Sequence, residues 1–190
     1  MIRELNYAIR FTFVTMLLFG GIYPLVVWGI GRVVFADQAQ GSLVARGDGT
    51  IVGSRLIAQK FTAPRYFHPR PSAVDYNAAS TGGSNYGPSS SDQLKVVRDR
   101  RAAAMKEENL RASAVPLEMV TAGGAGLDPH IPPEAADLQV ARIAAARGVT
   151  ADRVRDIVRA HVEPPVWGFV GRPRVNVLEL NLALDRALTQ

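Results

Sequence analysis

Residues 11–30 read FTFVTMLLFGGIYPLVVWGI and contain no charged side chain. At about 1.5 Å per residue, a helix of this length is roughly 30 Å long and can cross the hydrocarbon core of a membrane. No comparable apolar run follows in the sequence. We therefore predict a cytoplasmic tail over residues 1–10, a transmembrane helix over 11–35 and one soluble domain over 36–190.

A cleaved signal peptide is the alternative interpretation of the apolar run. The hydrophobic region of a signal peptide is about 7–15 residues long, which is shorter than this run. Val34 and Ala36 could nevertheless form a small-residue cleavage site. Gly20, Gly21 and Pro24 favour a retained helix, because glycine and proline are tolerated where membrane helices pack closely. These three residues are predicted to contact neighbouring helices.

The flanks of the apolar run carry nearly equal numbers of Lys and Arg, so the positive-inside rule does not separate the two orientations. A short tail is easily left inside while a long C-terminal part is exported. We therefore expect the N-terminus in the cytoplasm and the main domain in the periplasm. The sequence has no cysteine, which excludes a disulfide scaffold and thiolate chemistry.

The formal charge of +5 comes from scattered basic residues. No basic stripe interleaved with aromatic residues is present, so the charge does not indicate nucleic-acid binding. A mildly basic face would suit anionic lipid headgroups or an acidic partner. An ordinary solvated surface is the alternative interpretation.

Turn and capping signals predict an α+β fold for the soluble domain, with a small sheet and several helices. Gly47-Asp48-Gly49 is typical of a hairpin turn, and residues 115–121 (VPLEMVT) are predicted to form a strand. Capping and proline signals predict four helices. These helices begin after Ser91, at Pro132-Pro133, after Thr150 and after Asn176, and they end near Arg111, at Arg147 before Gly148, at His161 and at Leu188.

Residues 64–91 are rich in Pro, Gly, Ser and Asn and have no helical or strand periodicity. Their composition resembles that of a flexible linker. Tyr66, Phe67, Tyr76 and Tyr86 argue against a linker, since aromatic residues offset the entropy cost of ordering when they are buried. We interpret the segment as an ordered docking loop.

The segment 121–131 (TAGGAGLDPHI) resembles a phosphate-binding loop only in its glycines. A Walker A loop places a lysine where this chain has Asp128, and a carboxylate there would repel phosphate. Asp128 and His130 could form an acid–base pair, but the sequence offers no nucleophile or orienting group beside them. His68, His130 and His161 lack the spacing of a zinc site.

Five stretches of the chain, in order, carry a resemblance to a known family. They are GSRLIAQKF at 53–61, YFHPRPSA at 66–73, YNAASTGGSNYGP at 76–88, VPLEMVTAGGAGLDPHI at 115–131 and VNVLELNLALD at 175–185. Together with the single N-terminal span, they resemble the C subunit of the bacterial Kdp potassium-transporting P-type ATPase, the KdpC family. The resemblance covers nearly the whole chain.

The resemblance implies a single-pass subunit of the bacterial inner membrane, beside a channel-like potassium-binding subunit and a P-type ATPase subunit. It implies an accessory role in assembling and stabilising a high-affinity potassium import complex, without catalytic or metal residues. The complex uses ATP, Mg and potassium, and this subunit would bind no cofactor directly. The family is also proposed to raise the ATPase subunit's affinity for ATP. An extracytoplasmic domain could do so only indirectly.

We predict that the loops 64–88 and 121–131 face the partner subunits, because they are polar, glycine-rich and contain aromatic residues. The alternatives are a membrane-anchored extracytoplasmic hydrolase that uses Asp128 and His130, and a secreted binding protein. The predicted partner-facing residues are Phe67, Arg70, Tyr76, Asn77, Gly82, Gly83, Ser84, Asn85, Tyr86, Asp128 and His130.

Overall fold

In the computed structural model, which describes residues 2–188, the N-terminal apolar run lies within one long helical segment. By length and composition this segment, residues 2–34, could cross a membrane. Residues 2–10, predicted as a tail, are helical as well. The elements are α1 (Ile2–Leu17), a π-helical turn (Leu18–Ile22), α2 (Tyr23–Val34) and the short α3 (Ala36–Ala39).

The π-helical turn lies immediately before Pro24. Proline has no N–H, and in a regular α-helix its ring would clash with the carbonyl of Gly20. In the π turn, the N–H of Tyr23 donates to the carbonyl of Leu18. The wider turn accommodates the proline ring without ending the helix.

The chain divides into two compact units, of which the first ends at Leu43 and the second begins at Val44. The hairpin predicted around Gly47-Asp48-Gly49 is confirmed, and its strands are β1 (Leu43–Ala45) and β2 (Ile51–Ser54). Asp48 Oδ1 accepts the N–H of Thr50 at 2.9 Å, and Gly49 has a φ of 83°. The aspartate closes the turn, and the glycine adopts its left-handed conformation without steric cost.

A second, three-stranded antiparallel sheet has the order β3-β5-β4. Its strands are short: β3 (His130–Ile131), β4 (Val162–Glu163) and β5 (Arg174–Asn176). Val175 in the central strand pairs with Ile131 on one side and Val162 on the other. The sheet therefore places His130, from the predicted loop 121–131, beside the C-terminal elements.

The strand predicted over residues 115–121 is wrong. Pro116 has no N–H to donate to a ladder, and the chain forms two short 3₁₀ turns, Ala112–Ala114 and Leu117–Met119. The N–H and Oγ1 of Thr121 both donate to the carbonyl of Leu117, at 2.9 and 2.8 Å. These local hydrogen bonds therefore pair backbone groups that, in a strand, would need a neighbouring strand as partner.

The four predicted helices are present, with small shifts of their ends. Ser90 rather than Ser91 caps the first, and its Oγ accepts the N–H of Gln93 at 3.3 Å. This helix ends before Arg111, because Asn109 takes the left-handed conformation. The other helices have the predicted caps Thr150 and Asn176 and the C-terminal Gly148. The helices are α4 (Ser91–Glu108), α5 (Pro133–Arg147), α6 (Ala151–Ala160) and α7 (Val177–Leu188).

The main core lies between α5, α6, α7 and β5. Phe67, the largest of its fully buried side chains, comes from the predicted docking loop. The prediction that Phe67 faces a partner is therefore wrong, because its side chain is enclosed by the domain itself. An aromatic residue in a polar loop can be a core residue as readily as a contact residue, and sequence composition does not separate the two. A smaller cluster is formed by Ala104, Val115 and Val120.

Candidate functional site

The backbone around Phe67 is buried but belongs to no helix or strand, and side chains from two helices satisfy it. Asn181 accepts the N–H of Phe67 at 2.8 Å and donates to its carbonyl at 3.0 Å. Gln139 does the same for His68, at 2.8 and 3.2 Å. We call these two residues the amide clamp. It substitutes for the backbone partners that a strand would have supplied.

Arg142 ties the start of the same loop to the helices. Its guanidinium donates to the carbonyls of Pro64 and Tyr66, at 2.7 and 3.0 Å, and to Gln139 Oε1 at 2.8 Å. Its Nε donates to Glu108 Oε1 at 2.9 Å. No local sequence pattern predicts this arrangement, since its parts lie on a loop and two helices that are distant along the chain.

Glu108 and His68 are ionisable groups held in this buried region. Burial raises the pKa of Glu108, and the charge of Arg142 opposes that rise. Burial and the nearby Arg142 lower the pKa of His68, although its Nδ1 lies 3.1 Å from Glu107 Oε1. Both shifts disfavour the charged form of a buried group. The contacts that hold the loop itself are the hydrogen bonds from Arg142 to its carbonyls.

The rest of the loop 64–88 is ordered by local hydrogen bonds. Ser72 Oγ accepts the N–H groups of Val74 and Tyr76, at 3.1 and 2.9 Å. The Tyr76 hydroxyl donates to the carbonyl of Arg70 at 2.8 Å, and burial raises the pKa of Tyr76 to about 12. These contacts support the interpretation of residues 64–88 as an ordered loop rather than a flexible linker.

The two predicted loops pack against each other through their glycines. The N–H of Gly82 donates to the carbonyl of Ala125 at 3.1 Å. Gly126 has a φ of 68°, and a Cβ there would lie 2.7 Å from Val74 Cγ2 and 3.0 Å from the Gly82 carbonyl. Glycine is required at this position by both its conformation and its surroundings. We call the face formed by residues 64–88 and 121–131 the paired-loop surface.

An ion pair crosses the paired-loop surface. Arg70 Nη1 donates to Asp128 Oδ2 at 3.2 Å, and its Nη2 donates to Thr121 Oγ1 at 3.3 Å. Asp128 Oδ1 accepts the backbone N–H of His130 at 3.0 Å. Burial would raise the pKa of Asp128, but the neighbouring His130, through its ring and its backbone N–H, and the charge of Arg70 outweigh it and hold that pKa below its usual value.

The geometry around Asp128 is that of a loop brace. The His130 Nδ1 lies 3.8 Å from Asp128 Oδ1, and its Nε2 lies 4.0 Å from Glu163 Oε1, both too long for hydrogen bonds. Both Asp128 oxygens already accept other donors. A mixed-charge cleft of about 450 Å³ adjoins them and also contains Arg172. Within residues 2–188, no three His, Asp or Glu side chains come together as a metal site requires.

The predicted contact residues differ in exposure. Among the exposed residues of this set, Tyr86 has the largest side chain, and 46% of its area is exposed. The exposed residues are Asn77, Ser84, Asn85 and Tyr86; those of intermediate burial are Arg70, Tyr76, Gly82, Gly83, Asp128 and His130; Phe67 is buried. The paired-loop surface therefore exposes residues 84–86, while the Arg70–Asp128 pair and the glycine contacts hold the two loops together.

The predicted packing face of the N-terminal helix contains a shallow groove. It has a volume of about 460 Å³ and is lined by Phe13, Val14, Met16, Leu17, Gly20 and Gly21. A Cβ at Gly20 or Gly21 would meet only ordinary contacts, at 3.9 and 3.8 Å, within its own helix. The helix by itself therefore does not require glycine at these positions.

Sequence reasoning missed one exposed feature, the hairpin between β4 and β5. Trp167 is 83% exposed and Phe169 is 78% exposed, although both are large apolar residues. The run PPVWGFVGRPR over residues 164–174 carried the signal, because it combines aromatic residues with turn-forming Pro and Gly and contains no acidic residue.

We expect Arg70 and Asp128 to be energetically coupled. In a double-mutant cycle with Arg70→Gln and Asp128→Asn in the full chain, the coupling should be about 0.5–1 kcal/mol at neutral pH, because the pair is partly exposed. A depressed carboxyl pKa adds stability above the ordinary value of 3.8, and that stability is lost as the pH falls below it. Thermal unfolding in detergent across this range measures the change.

The exposed pair Lys60–Asp75 provides the control cycle, and its coupling should be smaller. A coupling at Arg70–Asp128 that is absent at neutral pH, or that is unchanged well below pH 3.8, would contradict the brace.

Comparison with known proteins gives consistent matches over nearly the whole chain. Residues 5–186 match the family model described as KdpC: K+-transporting ATPase, c chain. A Geobacter sulfurreducens protein named potassium-transporting ATPase KdpC subunit is 48% identical over 186 residues, covering 96% of this chain and 97% of its own. Proteins of the same name from Cereibacter sphaeroides and Citrifermentans bemidjiense are 49% and 51% identical, covering 98% and 96% of this chain and 99% and 97% of their own.

The match spans the N-terminal helix, both predicted loops and most of α7. About half of the aligned positions are identical in each of these relatives. The chain therefore belongs to the KdpC family, the c chain of the K+-transporting ATPase.

Proposed function

We propose that the chain is a non-catalytic accessory subunit that assembles and stabilises an ATP-driven, high-affinity potassium import complex. The observation that carries this proposal is the family match over residues 5–186. The partners are a channel-like potassium-binding subunit and a P-type ATPase subunit. ATP, Mg and potassium are used by the complex, and this chain binds none of them directly.

The proposal that the chain has no active site of its own rests on the roles of its most reactive-looking residues. Asp128 accepts hydrogen bonds from Arg70 and from the backbone of His130, one on each carboxylate oxygen, and so acts within the loops. Gly126 admits the neighbouring loop, and a Cβ at Gly123 would meet Asp128 of its own segment at 2.9 Å, so these two glycines serve loop packing. Any effect of this chain on nucleotide affinity is then transmitted through its partners.

We assign two contact regions to the partners. The first is the exposed patch at residues 84–86, whose base is fixed by the glycine contacts and by the Arg70–Asp128 pair. The second is the groove at Gly20 and Gly21, where the small residues permit close approach of another helix. Neither assignment requires a movement within the domain, so both surfaces are formed before assembly.

The proposed location is supported by the helix over residues 2–34, which is long and apolar enough to cross a membrane. We place the chain in the bacterial inner membrane with its N-terminus in the cytoplasm and the domain in the periplasm. Tethering raises the effective concentration of the domain at its partners to about the millimolar range. A weak docking surface is then sufficient.

The accessory role is tested by co-expressing the two partner subunits with and without this chain. Without it, we expect lower recovery of the complex and lower potassium-stimulated ATPase activity. The purified chain alone should hydrolyse no ATP. A complex of full stability and activity without the chain would contradict the proposal, and so would ATPase activity of the chain alone.

The two contact regions are tested by substitutions in the assembled complex. Tyr86→Ala should weaken docking by about 1–3 kcal/mol if the ring fills a pocket, whereas Leu94→Ala, at a comparably exposed apolar residue of α4, should not. Gly21→Leu should reduce recovery in detergent by steric clash, whereas Gly29→Leu, outside the groove, should be tolerated. Unchanged recovery with Tyr86→Ala or Gly21→Leu would reject that contact region.

Orientation is tested by labelling single cysteines with a membrane-impermeant thiol reagent, because the chain has no cysteine of its own. Ala103→Cys, on the exposed side of α4, should react in intact spheroplasts. Asn6→Cys, in the N-terminal segment, should react only after lysis. The reverse pattern would place the domain in the cytoplasm.

A further inference from the structure

The hairpin between β4 and β5 is a tight, well-defined element. Val166 and Val170 exchange two backbone hydrogen bonds, each of 2.9 Å. Three residues, Trp167, Gly168 and Phe169, lie between the two valines, and Trp167 and Gly168 have φ angles of 53° and 81°. Positive φ favours glycine and asparagine. We call residues 164–171 the aromatic hairpin.

The turn places its largest side chain where a small residue would be more favourable. A left-handed conformation costs about 1 kcal/mol or more for a residue with a Cβ, and Asn or Gly is the usual choice. Trp167 nevertheless occupies the position, and its ring contacts that of Phe169, with a centroid separation of 6.5 Å. Val166 and Val170 add apolar surface on either side, and both are more than 40% exposed. The conformation is explained if the tryptophan acts on something outside the domain.

The charges beside the aromatic hairpin indicate which kind of surface Trp167 contacts. Residues 164–174 contain Arg172 and Arg174 and no acidic residue. Arg174 donates to Glu163 at 2.9 Å, whereas Arg172 is exposed and makes no ion pair within residues 2–188. A projecting aromatic tip beside a free arginine suits the membrane interface, where tryptophan lies at the headgroup level and arginine meets lipid phosphates.

A bilayer fits this surface better than a protein partner does. Aromatic residues and arginine are common in protein hot spots as well, so the proximity of the membrane decides between the two. The chain also carries a helix long and apolar enough to cross a membrane. A domain tied to a bilayer needs little additional free energy to touch it, because the tether supplies a high effective concentration.

We propose that the aromatic hairpin is a second membrane contact: Trp167 and Phe169 enter the headgroup region of an anionic phospholipid bilayer, and Arg172 pairs with lipid phosphate. This contact would restrict the orientation of the domain at the bilayer. It is independent of the proposed partner contacts at residues 84–86 and in the helix groove.

The test uses Trp167 as a fluorescent reporter in the full chain. The sequence has two tryptophans, so Trp28→Phe leaves Trp167 alone. The variant is reconstituted into phosphatidylcholine vesicles with or without phosphatidylglycerol, and lipids brominated near the headgroup serve as quenchers. With phosphatidylglycerol, we expect Trp167 emission to shift to shorter wavelength and to lose intensity to the brominated lipid. Arg172→Gln should lower the ratio of docked to undocked domain about fivefold.

The control carries Trp28→Phe, Trp167→Phe and Leu94→Trp, which moves the reporter to an exposed position on α4. This reporter should not be quenched. Absence of Trp167 quenching in every vesicle would overturn the proposal. A blue shift that requires the two partner subunits, and that brominated lipid does not quench, would overturn it in favour of a protein-docking hairpin.

Discussion

The domain depends on buried polar side chains that act in place of secondary structure. Residues 66–68 pass through the interior without strand partners, and an unpaired buried amide costs about 1–3 kcal/mol. Asn181 and Gln139 pair with both backbone groups of Phe67 and His68, and this permits Phe67 to reach the centre of the core. Without the amide clamp, the loop would have to leave the interior, and the core would lose its largest fully buried side chain.

The clamp also determines what the surface loops can do. Because residues 66–68 are fixed on α5 and α7, Arg70 lies where it can reach Asp128. The paired-loop surface is therefore rigid at its base and exposed only at its tip. A contact surface of this kind loses little entropy on binding, since its backbone is ordered before the partner arrives.

Local signals were the most reliable guide to the fold. The hairpin at Gly47-Asp48-Gly49 and the caps Thr150 and Asn176 depend on residues a few positions apart, and all are confirmed. The strand predicted at 115–121 was wrong because an apolar run does not reveal that its carbonyls will be satisfied locally. Family resemblance supplied the function, which no isolated motif indicated.

The candidate site was less accessible to sequence reasoning, because its contacts join distant segments. The glycines of 82–83 and 124–126 were recognised as loop residues, but their mutual packing requires the fold. The aromatic content of residues 64–88 predicted order, yet it could not show that Phe67 points inward and Tyr86 outward. No pattern of neighbouring residues predicts the contacts of Arg142 or of the amide clamp, because they join residues far apart in the sequence.

The amide clamp has a consequence for the order in which the domain forms. Phe67 and Asn181 are separated by 114 positions, and α7, which carries Asn181, is the last element described. As the chain is synthesised, the loop emerges long before the side chains that hold it. Contacts of such high sequence separation form late. We therefore expect a chain truncated before α7 to lose the Asn181 half of the clamp, and with it part of the support beneath the paired-loop surface.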